Sequence, residues 1–507
     1  MHKKYKQTIP CISLIVGLAL FFCIPLKLKA NPPTPTAYKL KKITIISTGA
    51  IEPMPRYPYL RLVKWLAPTT HPSLIYRYIT LKPGDTFDAQ ALSCIRKQFM
   101  ALPYFSTVSI IPKKVDGTNE TLLFDLIIET KDRFPITIDL SLGEGPLLTI
   151  THHNAWGYGH LFSHQLFLKK RWGYGLTYAL PRLDGNCLLG GQYYNQISNT
   201  YTFNYQNLWI SKLCAMQQKE ACIPYYWTIG LSGAKKTFAT CPALSATQNR
   251  PYHNYKLILG KVGWVSDGYE AITGVYTLHG LEKLPKGGSI EMLYGYQQGA
   301  FNHRHYIGIH CIKNIANSRL KHLHLSCESG SFIHKKALEE AVLKLKLAYV
   351  GPSIQTCNRA RQSIAIDYIM GYRMPKERML GIMHRDPEAL EEPDEDNRMH
   401  TPICTRLNVH LDSTLHMPIV LNAMRFVFLG FVDFIALYNQ NNQLLNQTLV
   451  NSYGIGLQLA HVTIPWLAGI LKIGYSPLLG KLVPSVQFSM GQFKNKTEPK
   501  PTLVAYS

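Results

Sequence analysis

The feature that most constrains this chain is an alternation of apolar and polar residues that starts near Arg133 and recurs almost to the end of the sequence. Ile136, Ile138, Leu140 and Leu142 alternate with Thr137, Asp139 and Ser141; Tyr201, Phe203 and Tyr205 alternate with Thr200, Thr202 and Asn204. The same period returns around Ile290 and Tyr294, around Leu323 and Leu325, in Leu343, Leu345 and Leu347 against Lys344 and Lys346, around Ile364 and Ile366, and in Leu407, Val409 and Leu411. Successive side chains of a strand point to opposite faces, so each segment is a strand with one apolar and one polar side. A soluble antiparallel sheet shows such alternation over a few strands. Segments of about ten residues repeated over about 360, with aromatic ends and polar turns, predict a transmembrane antiparallel β-barrel. At about 20 to 24 residues per strand and connection, residues 134–493 predict about sixteen strands. Lipid cannot satisfy a backbone amide, so a sheet in the bilayer has to close on itself.

One stretch competes with this reading. Pro418 to Tyr438 is almost continuously apolar and long enough for a membrane-spanning helix. Arg425 and Asp433 would each cost about 3 kcal/mol near the centre of such a helix, so two strands are expected instead.

Ahead of the alternation, residues 42–131 read as a small α/β unit, with residues 31–41 a Pro-rich linker into it. Leu81, Lys82, Pro83, Gly84 and Asp85 form a turn, Thr86 or Asp88 caps a helix, and Ala91, Leu92, Ile95, Phe99 and Leu102 share one buried face. Pro103 ends the helix, and strands follow through Val108 and Ile110 and through Phe124, Leu126 and Ile128, with Lys42 to Ile46 an earlier strand. A short helix is expected over residues 57–66.

The Leu81–Asp85 turn, the helix, its Leu102-Pro103-Tyr104-Phe105 exit and the strand ending at Glu129 resemble a POTRA domain, the periplasmic module that precedes the barrel in BamA/TamA-type outer-membrane proteins. Three stretches of the second half resemble that family's barrel: Val427–Leu437 with Asp433, Asn451–Leu457 with its Gly-Ile-Gly, and Leu471–Leu478. The stretch Val486 to Phe493 is similar to the family's closing strand, which makes Phe488 and Phe493 the implied assembly signal, although a polar tail, residues 494–507, follows here. Gly371, Tyr372, Arg373, Arg378 and Gly381 resemble the family's long barrel loop, which carries an Arg-Gly-aromatic motif. Met370 stands where that Arg is expected; either Arg373 takes over its contact with the inner wall or the contact is lost. The acidic run from Asp386 to Asp396 reads as a solvated loop.

Composition fits this outline. Only 17% of the 507 residues are charged and 11% are aromatic, 30 of them Tyr, which suits a membrane-facing β protein better than several soluble domains. Lys and Arg number 54 against 31 Asp and Glu, a formal charge of +23. No helix carries a basic stripe with interleaved aromatics, so nucleic acid is not an expected partner, whereas a basic pore or a face toward anionic lipid is. Residues 1–30 read as a signal peptide, with Lys3, Lys4 and Lys6, an apolar run from Ile12 to Pro25 and small or neutral residues before Asn31.

Of eleven cysteines, Cys11 and Cys23 fall in that leader and leave nine, an odd number. Cys214 and Cys222 flank a polar stretch that suits either a small disulfide loop or two unpaired thiols. No metal or cofactor site is expected, since the 19 His show no metal-binding spacing and no nucleophile elbow or phosphate loop occurs. The chain is therefore not expected to be an enzyme. The resemblance implies an outer-membrane assembly or translocation factor, an accessory or specialised member given one POTRA-like module. Its implied partners are outer-membrane lipid, unfolded or extended client proteins added at the module's sheet edge, and periplasmic or lipoprotein components. The alternatives are a passive channel or surface-exposed structural barrel, or a lipid-handling role.

Overall fold

In the computed structural model of this chain the described residues are 38–50, 64–79, 81–115, 123–141, 147–169, 171–183, 187–197, 201–216, 225–243, 252–273, 281–299, 303–354, 360–375, 403–421, 424–439, 450–461, 468–477, 480–489 and 500–505. The leader, most of the 57–66 segment, Arg378, Gly381, the acidic run and Phe493 lie outside them.

The small unit has a four-stranded sheet in the order β2-β1-β4-β3, built from β1 (Tyr38–Thr48), β2 (Thr86–Phe87), β3 (Phe105–Val115) and β4 (Leu123–Asp132). Strands β1 and β4 run parallel, while β3 lies antiparallel on β4. The turn before β2 forms as its residues dictate. Gly84 takes φ +96, its N–H donates to the Leu40 carbonyl at 2.8 Å, and the Asp85 carboxylate accepts from the Lys82 N–H at 2.8 Å. Helix α1 (Pro72–Tyr76) is short; α2 (Ala89–Ala101) is capped by Asp88, whose carboxylate accepts from the Ala91 N–H at 2.7 Å. Ile95 and Phe99 from α2 meet Leu40, Leu74, Ile75, Phe105, Leu126 and Ile128 in one core. Cys94 on α2 is disulfide-bonded.

From β5 (Ile136–Ser141) to β22 (Lys481–Ser489), eighteen described strands pair antiparallel with their sequence neighbours and close into a barrel. The count exceeds the sixteen expected because several turns are very short, such as the four residues between β6 (Leu147–Ala155) and β7 (His160–Lys169), so each strand takes less chain. The Pro418–Tyr438 run crosses as strands: β18 (Ile403–Leu421) turns into β19 (Met424–Asn439), with Leu421 opposite Met424. Among the described residues no helix is long and apolar enough to cross a membrane.

Ladder lengths differ sharply around the barrel. β12 (Tyr255–Thr273) and β13 (Leu281–Gly299) pair along their whole 19-residue lengths. Among the described residues the closing seam between β22 and β5 has three pairs: Gln487 with Ser141, Phe488 with Leu140, and Ser489 with Asp139. The final strand starts earlier than its sequence suggests, at Lys481, and Phe488 sits within the seam.

An even number of antiparallel strands brings the start of β5 and the end of β22 to the same rim, where the small unit also sits. Its junction is a buried polar knot. The Asp132 carboxylate accepts from the Thr70 N–H (2.6 Å) and hydroxyl (2.8 Å), and the Asn154 amide donates to the Thr70 hydroxyl (2.8 Å). The Asn154 side-chain oxygen in turn accepts from the Gly159 N–H at 2.7 Å, in the β6–β7 turn. Gly157 and Gly159 hold φ of +77 and +73, and a Cβ on Gly159 would stand 2.9 Å from the Tyr104 ring, so this turn needs glycine both for its backbone and for close approach. Asp132→Ala removes the acceptor of two Thr70 donors and is expected to cost about 1–3 kcal/mol at the junction. Limited proteolysis should then release the small unit faster while the barrel stays protected.

Candidate functional site

The barrel sorts its side chains in the opposite sense to a soluble protein. Along β11 (Tyr225–Thr240), Trp227, Ile229 and Leu231 are 47%, 54% and 53% exposed on the outside, while Thr228, Gly230, Ser232, Ala234 and Lys236 alternate with them in the buried interior. Ile258 and Val262 on β12, Met292 and Tyr294 on β13, and Ile307 on β14 (His303–Asn317) continue the apolar exterior. Their alternates Lys261, Glu291 and Arg304 point inward.

Those inward charges pair between adjacent strands, and in the case of Arg304 across an intervening one. Lys261 meets Glu291 at 2.9 Å. Arg304 meets Glu340 at 2.5 Å and Glu339 at 3.5 Å, donates to Gln297 at 2.6 Å, and lies 3.9 Å from the Phe332 ring centroid. On the other side of the wall, His410 of β18 bridges Asp433 of β19 and Asp412, the latter at 2.8 Å; the Ser452 hydroxyl donates to Asp433 at 3.1 Å and Lys472 stands 4.0 Å from Asp412. Asp433, which weighs against a helical span in the sequence, is thus an interior residue of a strand. Lys346 and Asp367 form a looser pair at 3.9 Å. Such a wall can hold water and charged or polar chain; among the described residues no group of three or more His, Cys, Asp and Glu is placed to hold a metal ion.

Of the loop residues singled out from sequence, Gly371, Tyr372 and Arg373 lie at the rim far from the small unit, where β17 (Ala360–Tyr372) ends. Gly371 is buried opposite Val342 of β16 (Ala337–Val350), Tyr372 is exposed, and Met370 sits opposite Leu343. Arg373 holds φ +54 and donates to the Leu338 carbonyl at 3.4 Å, an exposed rim contact. Cys214 of β10 (Thr202–Met216) is a free thiol, so the small disulfide loop with Cys222 is not formed; the open alternative of unpaired thiols holds for Cys214. The ion pairs were not legible in advance, because each partner reads as an ordinary polar position until the strand register sets it beside the other.

The least expected part of the site is the segment Lys500–Ala505, from the stretch that reads as a polar tail. It lies against the inner wall: Pro501 and Val504 are buried, and the Val504 N–H donates to the Tyr306 hydroxyl at 2.9 Å.

No protein-family model matches this chain, and no curated protein matches it either. Solved structures do resemble it. A BamA from Haemophilus ducreyi lacking POTRA domains 1–3 is 12% identical, with a TM-score of 0.44 over 89% of this chain and 84% of that one. A CdiB from Acinetobacter baumannii is 10% identical, with a TM-score of 0.38 over 95% of this chain and 97% of its own. A CdiB from Escherichia coli is 8% identical, with a TM-score of 0.28 over 95% and 98%. The first of these is of the type that the sequence itself resembles. At such scores the likeness is loose, and the fold rests on the strand ladder.

The Arg304 cluster yields a direct test. Arg304→Met removes the cation held 2.5 Å from the buried Glu340 carboxylate and is expected to cost about 3–5 kcal/mol, whereas Arg304→Met with Glu340→Met recovers most of that. The urea midpoint of the barrel refolded into lipid reads both.

Proposed function

We propose that this chain is an outer-membrane barrel of the protein assembly or translocation type, with the small unit, expected over residues 42–131 but with its first strand already begun at Tyr38 in the stretch that reads as linker, acting as a POTRA-like module on the periplasmic side. An apolar exterior on a closed ladder is what a bilayer demands of strands, and a charged interior is what such a cylinder can enclose. The leader-like residues 1–30 agree with export. With the small unit on the periplasmic rim, the end of β17 and Arg373 belong to the outer face. Lipid, extended client proteins and periplasmic or lipoprotein components are its proposed partners, and one module fits an accessory or specialised member.

The observation that carries the client-receiving role is the open edge of β3, held at the barrel mouth by the Thr70–Asp132 junction. Proline lacks an N–H, so Pro112 within β3 marks the side of the strand turned away from β4. Val108 and Ile110 share that side, in keeping with the Arg96 guanidinium donating to the Val108 carbonyl at 3.1 Å. The Ile110 N–H and carbonyl are thus turned toward an added strand, while Pro112, Lys113 and Lys114 discourage indiscriminate pairing further along. The seam, with three pairs among the described residues against the 19 between β12 and β13, is the place where such a barrel would part. A passive channel is the second reading, favoured by the paired charges that line the interior. A large, steady, anion-preferring current in a planar bilayer would support it.

Ile110→Pro removes the edge donor from a strand that already accommodates proline two residues on. Cells depending on this variant should lose client outer-membrane proteins several-fold, with the chain itself still assembled and Ile110→Ala close to normal. Unchanged client levels would rule out strand addition at this edge.

A further inference from the structure

The segment Lys500–Ala505 makes no ladder pairing in the barrel sheet, yet it is seated at specific places on the inner wall. The Lys500 ammonium donates to the Gln192 side-chain oxygen of β9 (Cys187–Ile197) at 2.5 Å and stands 5.6 Å from the Trp209 ring centroid. The Pro501 carbonyl accepts from the Ser232 hydroxyl at 3.5 Å, and a Cβ on Gly230 would approach the Pro501 ring to 3.2 Å. Leu503 packs against the cluster of Ala234, Leu257, Leu293, Tyr306 and Phe332, and Val504 against Val342 and Met374. Gly330 completes the seat: a Cβ there would collide with the Tyr306 hydroxyl and come within 3.1 Å of Val504.

Strand direction gives the path. Gln192, Trp209 and Ser232 lie midway along their strands, whereas Tyr306, Val342 and Met374 lie near the far rim, so the segment climbs through the lumen away from the small unit. From Ser489, where β22 reaches the near rim, to Lys500 there are eleven residues, which span at most about 36–40 Å when extended. That is enough to enter the lumen from the periplasmic mouth.

We infer that residues 500–505 are a removable plug carried by the chain itself, seated in a wall site that recognises an extended, apolar peptide with a leading Lys-Pro, and that an incoming client segment competes for this site. The inference rests on the membrane-barrel reading proposed above. The attachment is of a kind that can let go: side-chain hydrogen bonds to two backbone groups, one Lys–Gln contact and a small apolar patch, with no run of ladder bonds. The plug ends beside Val342 and Met374, just past the end of β17, so its departure frees both the lumen and that part of the far rim.

The test compares the full chain, a chain ending at residue 499, and full-length Val504→Asp and Tyr306→Phe, each reconstituted in liposomes and then measured in planar bilayers. Tyr306→Phe keeps the ring that packs 5.1 Å from Phe332 and loses only the hydroxyl that accepts from Val504. The shortened chain should pass current several-fold larger than the full chain, Val504→Asp nearly as much, and Tyr306→Phe an intermediate amount. A synthetic Lys-Pro-Thr-Leu-Val-Ala peptide added to the shortened chain should close it again, and the same peptide with Asp for Val should not. Equal currents from inserted full, shortened and Val504→Asp chains would overturn the plug while leaving the barrel standing. Failure of every chain to insert into liposomes would overturn the barrel reading and the plug with it.

Discussion

Everything in this molecule depends on a backbone that must satisfy its own hydrogen bonds while its outer side chains seek an apolar surrounding. Trp227, Ile229 and Leu231 face outward beside Met292 and Tyr294, so water is a poor partner for the strands that carry them. Closing the sheet is the solution that leaves no strand edge bare. Among the described residues the seam joins Asp139–Ser141 to Gln487–Ser489, whereas the ladders on the opposite wall are continuous over whole strands.

The same alternation that turns apolar groups outward sends charges in, where each has to find a partner. Lys261 with Glu291, Arg304 with Glu339 and Glu340, and Asp433 with His410 and Ser452 tie strands together from within, at positions where an unpaired charge would be costly. The wall is polar but not uniform. Between Trp209 and Val342 it changes to a strip of aromatic, aliphatic and glycine positions, and it is this strip that the Lys500–Ala505 segment occupies.

The small unit contributes a different kind of surface. Its core of Leu40, Phe99, Phe105 and Ile128 leaves β3 as an outer strand, and the Asp132–Thr70–Asn154 knot fixes that strand at the mouth of the barrel. The β3 edge, the β22–β5 seam and the lumen that holds residues 500–505 are the three features on which the proposed function rests.

Local periodicity was enough to read the secondary structure. The Leu343–Lys344–Leu345–Lys346 alternation, the Asp88 cap and the Gly84 turn each depend on neighbours a few residues away, so the barrel class, the α/β unit and the two-strand crossing at Asp433 could be read directly. Strand number was less legible, since turn length varies without a strong residue signal. What only the tertiary structure decided is who meets whom across distance in the chain. Arg304 and Glu340, Thr70 and Asp132, and above all Val504 and Tyr306, 198 residues apart, are ordinary residues in the sequence. Their pairing follows from register and closure, which are properties of the whole cylinder, and so part of the tail that reads as polar, residues 500–505, becomes an occupant of the lumen with Pro501 and Val504 buried.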